Sequence, residues 1–181
     1  MHILFVCSGN VCRSVIAERL TRAYAVECGL TELTAESAGI RGLAGYPVEP
    51  RAAAVISGLG GDPTGFRARR LSERMVAAAD LILAMTDDQR DRASTLAPGA
   101  SPKSFTLPEA HRIAMLTGAD TVARLDVFRD PSVTADAQRI ADPVGLSDRA
   151  FMEVGDRIAE ALFPLLTQIA PCRRPTPSAP A

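Results

Sequence analysis

The chain has 181 residues and a mass of 19.1 kDa, a length that suits one compact domain. Hydrophobic residues make up 47% of it and charged residues 23%, so there is enough apolar surface for a core and disorder throughout is excluded. The formal net charge of −1 and the lack of a long apolar run argue against nucleic-acid binding and a membrane span, and without an export signal we expect a cytoplasmic protein.

Strand and helix patterns alternate along the first two thirds of the chain. An apolar run over 2–6 ends at a Ser-Gly-Asn turn and predicts a buried strand. The elements predicted after it are, in order, a helix over 14–28, a strand over 32–37, a helix over 50–59, a short helix capped by Ser72, a strand over 80–85, a helix over 86–96, a strand over 103–107 and a helix over 108–117. This alternation predicts an α/β fold in which a four-stranded parallel sheet carries helices on both faces.

The last third of the chain has a different character. The segment 118–146 is predicted to be irregular, and a long amphipathic helix is predicted over 147–169. Pro164 lies inside that helix and is expected to kink it or end it. We therefore expect residues 1–170 to form the domain and the proline-rich tail 171–181 to be disordered.

The loop after the first strand has the composition of an anion-binding site. It reads Cys7-Ser-Gly-Asn-Val-Cys-Arg13-Ser14 and leads into a helix, so successive backbone N–H groups point inward and form a cradle. Gly9 permits the turn and Asn10 tolerates a left-handed conformation, while the guanidinium of Arg13 pairs with two phosphate oxygens. The same positive field favours the thiolate of Cys7 as a nucleophile. The alternative interpretation is an ordinary strand–helix turn with two buried thiols.

The other cysteines indicate neither a structural disulfide nor a metal site. Disulfides are rare in the reducing cytosol, and no CxxC pair accompanies the two histidines, which argues against zinc. Cys28 and Cys172 are interpreted as a structural thiol and a tail thiol. Cys12 either fills the core as a small hydrophobe or forms a reversible disulfide with Cys7.

This loop resembles the phosphate loop of the low-molecular-weight protein tyrosine phosphatase family, C-x-x-N-x-C-R-S near the N-terminus. Every defined position of that pattern is matched, by Cys7, Asn10, Cys12, Arg13 and Ser14. The Ser37-Ala-Gly at the end of the second strand also matches, and Asp142-Pro143 lies where the family has its general-acid loop, just before the last helix. The resemblance runs over about 2–167 and is strongest in the first 40 residues.

The resemblance implies a phosphomonoester hydrolase that forms a phosphocysteine and acts on phosphorylated proteins, in particular on phosphotyrosine. Cys7 would be the nucleophile, Arg13 the phosphate clamp and Asp142 the general acid and base. No metal or other cofactor is implied, because Arg13 and the loop amides supply the charge stabilisation that Mg²⁺ supplies in kinases. The expected phosphate-binding loop also contains Ser8, Gly9, Asn10, Val11, Cys12 and Ser14.

Further roles follow from the same resemblance. Ser14 would donate a hydrogen bond to the nucleophilic sulfur, and Ser37 would brace the asparagine of the loop. The walls of the substrate cleft are expected at Leu43, Tyr46 and Val144. Because Val144 stands where the family usually has an aromatic residue, we expect weaker stacking on a phosphotyrosyl ring.

Three Asp-Pro pairs compete for the role of the acid. Asp62 follows two glycines at the end of a predicted helix and is interpreted as part of a turn. Asp130 lies in the same irregular segment as Asp142 and is a rival. Asp142 is favoured, because Gly145 and the capped last helix follow it as in the family.

Two other functions stay open at this stage. Thiol-dependent arsenate reductases share this loop and fold, and although the range 77–95 lacks the two relay cysteines of one class, another class uses an external thiol. A non-catalytic phosphate-binding module is the second alternative.

A basic run of four arginines is either a solvated face or a patch that attracts acidic, phosphorylated partners; it comprises Arg67, Arg69, Arg70 and Arg74.

Overall fold

A computed structural model of the chain describes residues 1–135 and 137–172. Its four strands form one sheet in which every pairing is parallel, in the order β2-β1-β3-β4. The strands are β1 (His2–Cys7), β2 (Thr34–Gly39), β3 (Leu81–Ala84) and β4 (Ser104–Thr106). The predicted α/β fold with four parallel strands is confirmed.

Eight α-helices occur within the described residues, and none of them is long and apolar enough to cross a membrane. They are α1 (Arg13–Glu27), α2 (Pro50–Gly58), α3 (Glu73–Ala78), α4 (Asp87–Ser94), α5 (Leu107–Thr117), α6 (Val122–Val127), α7 (Pro131–Thr134) and α8 (Asp148–Ile169). The bounds of the elements predicted from the sequence agree with the structure to within two residues.

The sheet is buried on both faces. Because successive side chains of a strand point in opposite directions, those of β1 divide between two cores. Ile3 and Phe5 of β1 belong to a larger core that includes side chains of α1, α5 and α8. Leu4 and Val6 belong to a smaller core that includes side chains of α3 and α4. All four residues are fully buried, so the continuous apolar run of β1 reflects a strand covered on both sides.

Pro164 does not end the last helix, which continues to Ile169. The proline removes one backbone hydrogen bond and costs about 3 kcal/mol in a helix interior. Leu162, Leu165 and Leu166 on either side of it are fully buried, and burying each such side chain contributes about 1.5–3 kcal/mol. Burial of this apolar face therefore outweighs the local cost, which a propensity argument alone does not reveal.

The segment 118–146, predicted to be irregular, contains the short helices α6 and α7. Each helix has a side-chain cap at its N-terminus. The Thr121 hydroxyl accepts a hydrogen bond from the backbone N–H of Arg124, and the Asp130 carboxylate accepts one from the N–H of Ser132. These caps stabilise helices that are too short to show a hydrophobic period.

Cys28 and Cys172 form a disulfide, so the prediction of no structural disulfide is wrong. The two cysteines follow the ends of α1 and α8, which pack together, and their Cα atoms lie 4.6 Å apart, within the usual range for a disulfide. The Tyr24 hydroxyl donates to the carbonyl of Ala170 at 3.0 Å nearby. The prediction rested on cellular compartment, which says nothing of two helix ends meeting in space. Residues 173–181 of the predicted tail lie outside the described residues.

Candidate active site

The loop from Cys7 to Ser14 wraps around the sulfur of Cys7. Asn10 has a φ of 57°, in the left-handed region that asparagine tolerates better than most residues. This turn directs the Asn10 backbone N–H to the Cys7 Sγ at 3.3 Å, and the Ser14 Oγ lies 2.9 Å from the same sulfur. Two polar groups thus converge on the sulfur and stabilise negative charge there.

The side chain of Asn10 holds the loop in this shape and is completely buried. Its amide nitrogen donates to Ser14 Oγ at 3.0 Å and to Ser37 Oγ at 2.8 Å. Its carbonyl oxygen accepts the backbone N–H of Arg69 at 2.7 Å. Ser37 lies where the resemblance placed it, and the two side-chain ends of Asn10 connect the loop to β2 and to the segment before α3.

Glu18 extends this network and was not identified from the sequence. The Ser37 hydroxyl donates to Glu18 Oε2 at 2.6 Å, and the Glu18 carboxylate also pairs with Arg22 at 3.3 Å. Glu18 is only 4% exposed. It lies one helical turn after Ser14 on α1, so both side chains face the same side. A carboxylate on the buried face of that helix is the signal that could have identified it.

Hydrogen bonds through Gln89 also attach the phosphate-binding loop to the end of β3. Ser8 Oγ accepts a hydrogen bond at 3.0 Å from the side-chain amide of Gln89 on α4. The Gln89 carbonyl oxygen in turn accepts the backbone N–H of Met85, at the end of β3, at 3.3 Å. Gln89 is buried and bridges two carboxyl ends of strands, a tertiary role that its polar sequence context does not reveal.

Arg13 and Asp142 are in direct contact although 129 positions separate them. Arg13 begins α1 and is 3% exposed, and its guanidinium donates to the carbonyl of Ile140 at 3.1 Å and pairs with the Asp142 carboxylate. Within the described part of the chain, its buried Nε has no hydrogen-bond partner. The clamp and the acid implied by the resemblance therefore meet at one place.

The two rival Asp-Pro pairs lie elsewhere. Asp130 caps α7, and hydrogen bonds from the side chain and backbone of Ser132 lower the pKa of Asp130 below its ordinary value. Asp62 accepts hydrogen bonds from the backbone and hydroxyl of Thr64 at 2.9 and 2.8 Å, as expected for a turn. Of the three, only Asp142 contacts the phosphate-binding loop or lines its cleft.

A cleft of about 290 Å³ opens above the loop. Leu43 and Val144, two of the three predicted wall residues, line it and are 47% and 55% exposed. Tyr46 is 61% exposed and does not line it. Arg41, which the sequence analysis did not single out, adds an exposed guanidinium at the wall. The lining residues are Cys7, Ser8, Gly9, Asn10, Val11, Cys12, Arg13, Arg41, Leu43, Asp142 and Val144.

Cys12 is the second thiol of the phosphate-binding loop. Cys7 and Cys12 are both buried free thiols. Burial, together with the nearby Cys7, raises the pKa of Cys12 well above its usual range, so Cys12 is a neutral thiol at physiological pH. A neutral thiol is a poor nucleophile, so Cys12 is not suited to attack an electrophile in the cradle.

Comparison with known proteins gives a consistent result. Residues 2–173 match the family model for low molecular weight phosphotyrosine protein phosphatase. The low molecular weight protein-tyrosine-phosphatase Ptp of Acinetobacter johnsonii is 36% identical over 106 residues, 59% of this chain and 71% of that protein. The tyrosine phosphatase AmsI of Erwinia amylovora has a TM-score of 0.72 with 27% identity, over 93% of both chains. The YwlE arginine phosphatase of Geobacillus stearothermophilus has a TM-score of 0.70 with 26% identity, over 93% of this chain and 92% of that one.

Proposed function

Because the chain belongs to the low-molecular-weight phosphotyrosine protein phosphatase family, we propose that it hydrolyses phosphorylated side chains of proteins, with phosphotyrosine as the preferred substrate. The observation that carries the proposal is the convergence of three groups on one cradle. The Cys7 sulfur lies at its base, and the Arg13 guanidinium contacts the Asp142 carboxylate beside it. A nucleophile, an anion clamp and an acid are the parts that such a hydrolysis needs.

In the first step, the Cys7 thiolate attacks phosphorus. The S–P bond forms as the bond from phosphorus to the tyrosyl oxygen breaks, and Asp142 gives its proton to that oxygen. A phosphate in the cradle competes with Asp142 for the N–H groups of Arg13, so substrate binding frees the carboxyl group to act. The backbone N–H groups of the loop and Arg13 stabilise the charge on the transferring phosphoryl group.

In the second step, water displaces the sulfur from phosphorus. Asp142 now accepts a proton from the attacking water, and inorganic phosphate leaves as the S–P bond breaks. The Cys7 sulfur departs as a thiolate, which the Ser14 hydroxyl at 2.9 Å and the Asn10 N–H at 3.3 Å stabilise. The buried hydrogen bonds of Asn10 hold these donors in place throughout, so no reorganisation is needed.

The fold does not choose between phosphotyrosine and phosphoarginine, since the structural neighbours include phosphatases named for each. The cleft supports the choice of tyrosine. Leu43 and Val144 offer apolar contact to an aryl ring, and Arg41 also lines the cleft, where its positive charge disfavours a second guanidinium.

The test compares two peptides of one sequence that carry either phosphotyrosine or phosphoarginine, with phosphate release as the readout. We expect kcat/KM to be about tenfold or more higher for phosphotyrosine. Cys7→Ser should abolish turnover of both and of a chromogenic aryl phosphate, because the serine hydroxyl is not ionised at neutral pH. Cys172→Ser, which breaks the Cys28–Cys172 disulfide outside the cleft, should keep wild-type turnover.

Each part of the proposal has its own contrary result. Turnover by Cys7→Ser within about tenfold of wild type would overturn the phosphocysteine mechanism. Faster hydrolysis of phosphoarginine would overturn the substrate assignment and leave the mechanism standing. Thiol-dependent reduction of arsenate without hydrolysis of any phosphorylated peptide would favour the reductase alternative instead.

A further inference from the structure

A second cavity lies along the free edge of β2, behind the active-site loop. This groove has a volume of about 880 Å³ and is bounded by α1 and by the segment 65–69. Two members of the basic run, Arg67 and Arg69, line the groove, and the proposed mechanism uses neither of their side chains. The charged side chains on its walls are Arg19, Arg22, Arg67, Arg69, Glu18 and Glu36.

Positive charge exceeds negative charge in the groove, since four guanidinium groups face two carboxylates. Glu18 pairs with Arg22 at 3.3 Å, and Glu36 pairs with Arg69 at 3.4 Å. Arg67 has no carboxylate partner within the described ranges, and its guanidinium donates to the carbonyl of Phe66 at 3.0 Å. The walls therefore carry cationic donors in excess of what the protein's own acids neutralise.

Arg19 supplies the most constrained of these cations. Its side chain is 12% exposed, and the guanidinium lies 5.5 Å from the centre of the Phe66 ring. The buried Nε lies 3.6 Å from Glu18 Oε1, too far for a hydrogen bond, and it has no other partner in the part of the chain that the structure describes. A buried donor without an acceptor costs free energy, so the charge of Arg19 is only partly compensated by the protein.

We propose that this groove is a second anion-binding site, suited to a small molecule that carries more than one phosphate group. Guanidinium groups are the side chains best matched to phosphate oxygens, because their planar donors pair with two oxygens at once. The groove receives them from two separate elements, α1 and the segment 65–69, so they surround a volume instead of lining a flat surface. Its size exceeds that of the 290 Å³ active-site cleft, so it accommodates a larger anion than one phosphate group.

The groove is connected to the active-site loop through Glu18. The Glu18 carboxylate accepts a hydrogen bond from the Ser37 hydroxyl at 2.6 Å. The Ser37 oxygen in turn accepts one from the side-chain amide of Asn10 at 2.8 Å. An anion that binds Arg19 and Arg22 competes with Glu18 for them and changes the charge balance beside Ser37. Since Asn10 shapes the phosphate loop, occupancy of the groove alters turnover, a consequence that rests on the proposed phosphatase activity.

Binding is tested separately from catalysis, with the active site blocked. Iodoacetate alkylates Cys7, which places a carboxylate in the phosphate loop, and mass spectrometry confirms one added group. Calorimetric titration of this protein with inorganic pyrophosphate should show saturable binding. Arg67→Ala and Arg22→Ala should each weaken it by about tenfold or more, the loss of one charge-assisted contact. Arg92→Ala, an exposed arginine on α4 outside the groove, is the control with the same change in net charge.

Two results of the titration would contradict the proposed site. Absence of saturable binding below about 10 mM pyrophosphate, or an equal loss in Arg92→Ala, would overturn the site. Circular dichroism and thermal unfolding establish that the variants are folded, and the two groove variants lie on different elements, so a folding defect in one leaves the other to decide.

The connection to catalysis is measured on the unmodified enzyme at saturating aryl phosphate, where competition at the active site no longer contributes. Pyrophosphate should change kcat by about twofold or more, and the change should disappear in Arg67→Ala. An unchanged kcat would refute the link through Glu18 while leaving the binding result intact. If no aryl phosphate is hydrolysed at all, the proposed function fails, and the titration of the blocked protein still reports on the groove.

Discussion

Among single residues, Arg13 has two competing partners at one place. Its guanidinium holds the Asp142 carboxylate, and it is also the group that a phosphate would engage in the cradle. The carbonyl of Ile140 fixes its orientation at 3.1 Å. The phosphate clamp therefore holds the acid beside the cradle until a phosphate competes for the same N–H groups, so the carboxyl group is released next to the leaving oxygen.

Replacing Asp142 with alanine should lower kcat on phosphotyrosine by roughly 10²–10⁴, the usual worth of general acid catalysis. The loss should be smaller on nitrophenyl phosphate, whose leaving oxygen needs less help from a proton. Steady-state kinetics on both substrates measure the difference. Asp130→Ala is the control, since Asp130 caps α7, and it should cost only about 0.5–2 kcal/mol of stability. A loss dependent on the leaving group in Asp130→Ala and not in Asp142→Ala would reverse the assignment.

The buried thiol of Cys12 makes stability depend on pH. Burial raises the pKa of Cys12 in the folded state far above the ordinary value of 9.0. Below that value both states are protonated, whereas at higher pH only the unfolded chain ionises. The free energy of unfolding should therefore fall as pH rises above about 9, with a slope that approaches about 1.4 kcal/mol per pH unit.

Urea unfolding of wild type and Cys12→Ala between about pH 7 and 10.5 isolates this contribution. The variant should be less stable at neutral pH because it loses buried contacts, and the gap between the two proteins should narrow above about pH 9. A gap that is constant with pH would show that Cys12 ionises as readily in the folded protein as in the unfolded chain.

At the scale of elements, the sequence predicts what a local pattern encodes. The apolar run of β1 and the cap of α3 identify those elements, because a strand buried on both faces and a capped helix each leave a mark over a few residues. The cradle was predictable for the same reason, since it is one continuous loop. Gln89 acts through distant partners and leaves no local mark, and the same is true of the Cys28–Cys172 disulfide.

The loop after β2 is positioned by close backbone contact at Gly42. A Cβ atom there would lie 2.1 Å from the carbonyl oxygen of Arg69 and 2.8 Å from the Cα of Arg70. Neither backbone atom yields cheaply, so Gly42→Ala should push the loop off this segment. We expect a loss of about 1–3 kcal/mol and a lower kcat, because the Arg69 N–H holds Asn10.

Gly58→Ala is the matched control for that substitution, since a Cβ atom there meets nothing within 4 Å. It should leave activity unchanged and stability unchanged or slightly higher, because alanine restricts the unfolded chain. Urea unfolding measures the stability of both variants, and aryl phosphate kinetics measure their activity. Equal stability and activity of Gly42→Ala and Gly58→Ala would show that the loop adjusts without cost.

At the scale of the whole molecule, the sheet assembles the site from distant parts of the chain. The order β2-β1-β3-β4 brings Cys7, Gly39 and Met85 to one edge, where parallel strands present their carboxyl ends. The Met85 carbonyl accepts the backbone N–H of Ile140 at 3.0 Å, which attaches the loop that carries Asp142. A ligand in the cradle therefore contacts both the first and the last part of the domain.

Such a ligand should stabilise the entire fold. An aryl phosphonate, whose C–P bond is not hydrolysed, should add about 2.7 kcal/mol at a concentration of 100 times its Kd. For a domain of this size that raises Tm by about 5–10 °C in scanning calorimetry. Cys7→Ser should retain the shift, because the cradle is built from backbone and Arg13. At the same concentration Arg13→Ala should shift by about 1–2 °C or less, since two charge-assisted hydrogen bonds are lost. A full shift in Arg13→Ala would place the ligand outside the cradle, and a missing shift in Cys7→Ser would make the sulfur, and not the guanidinium and amides, the main binding group.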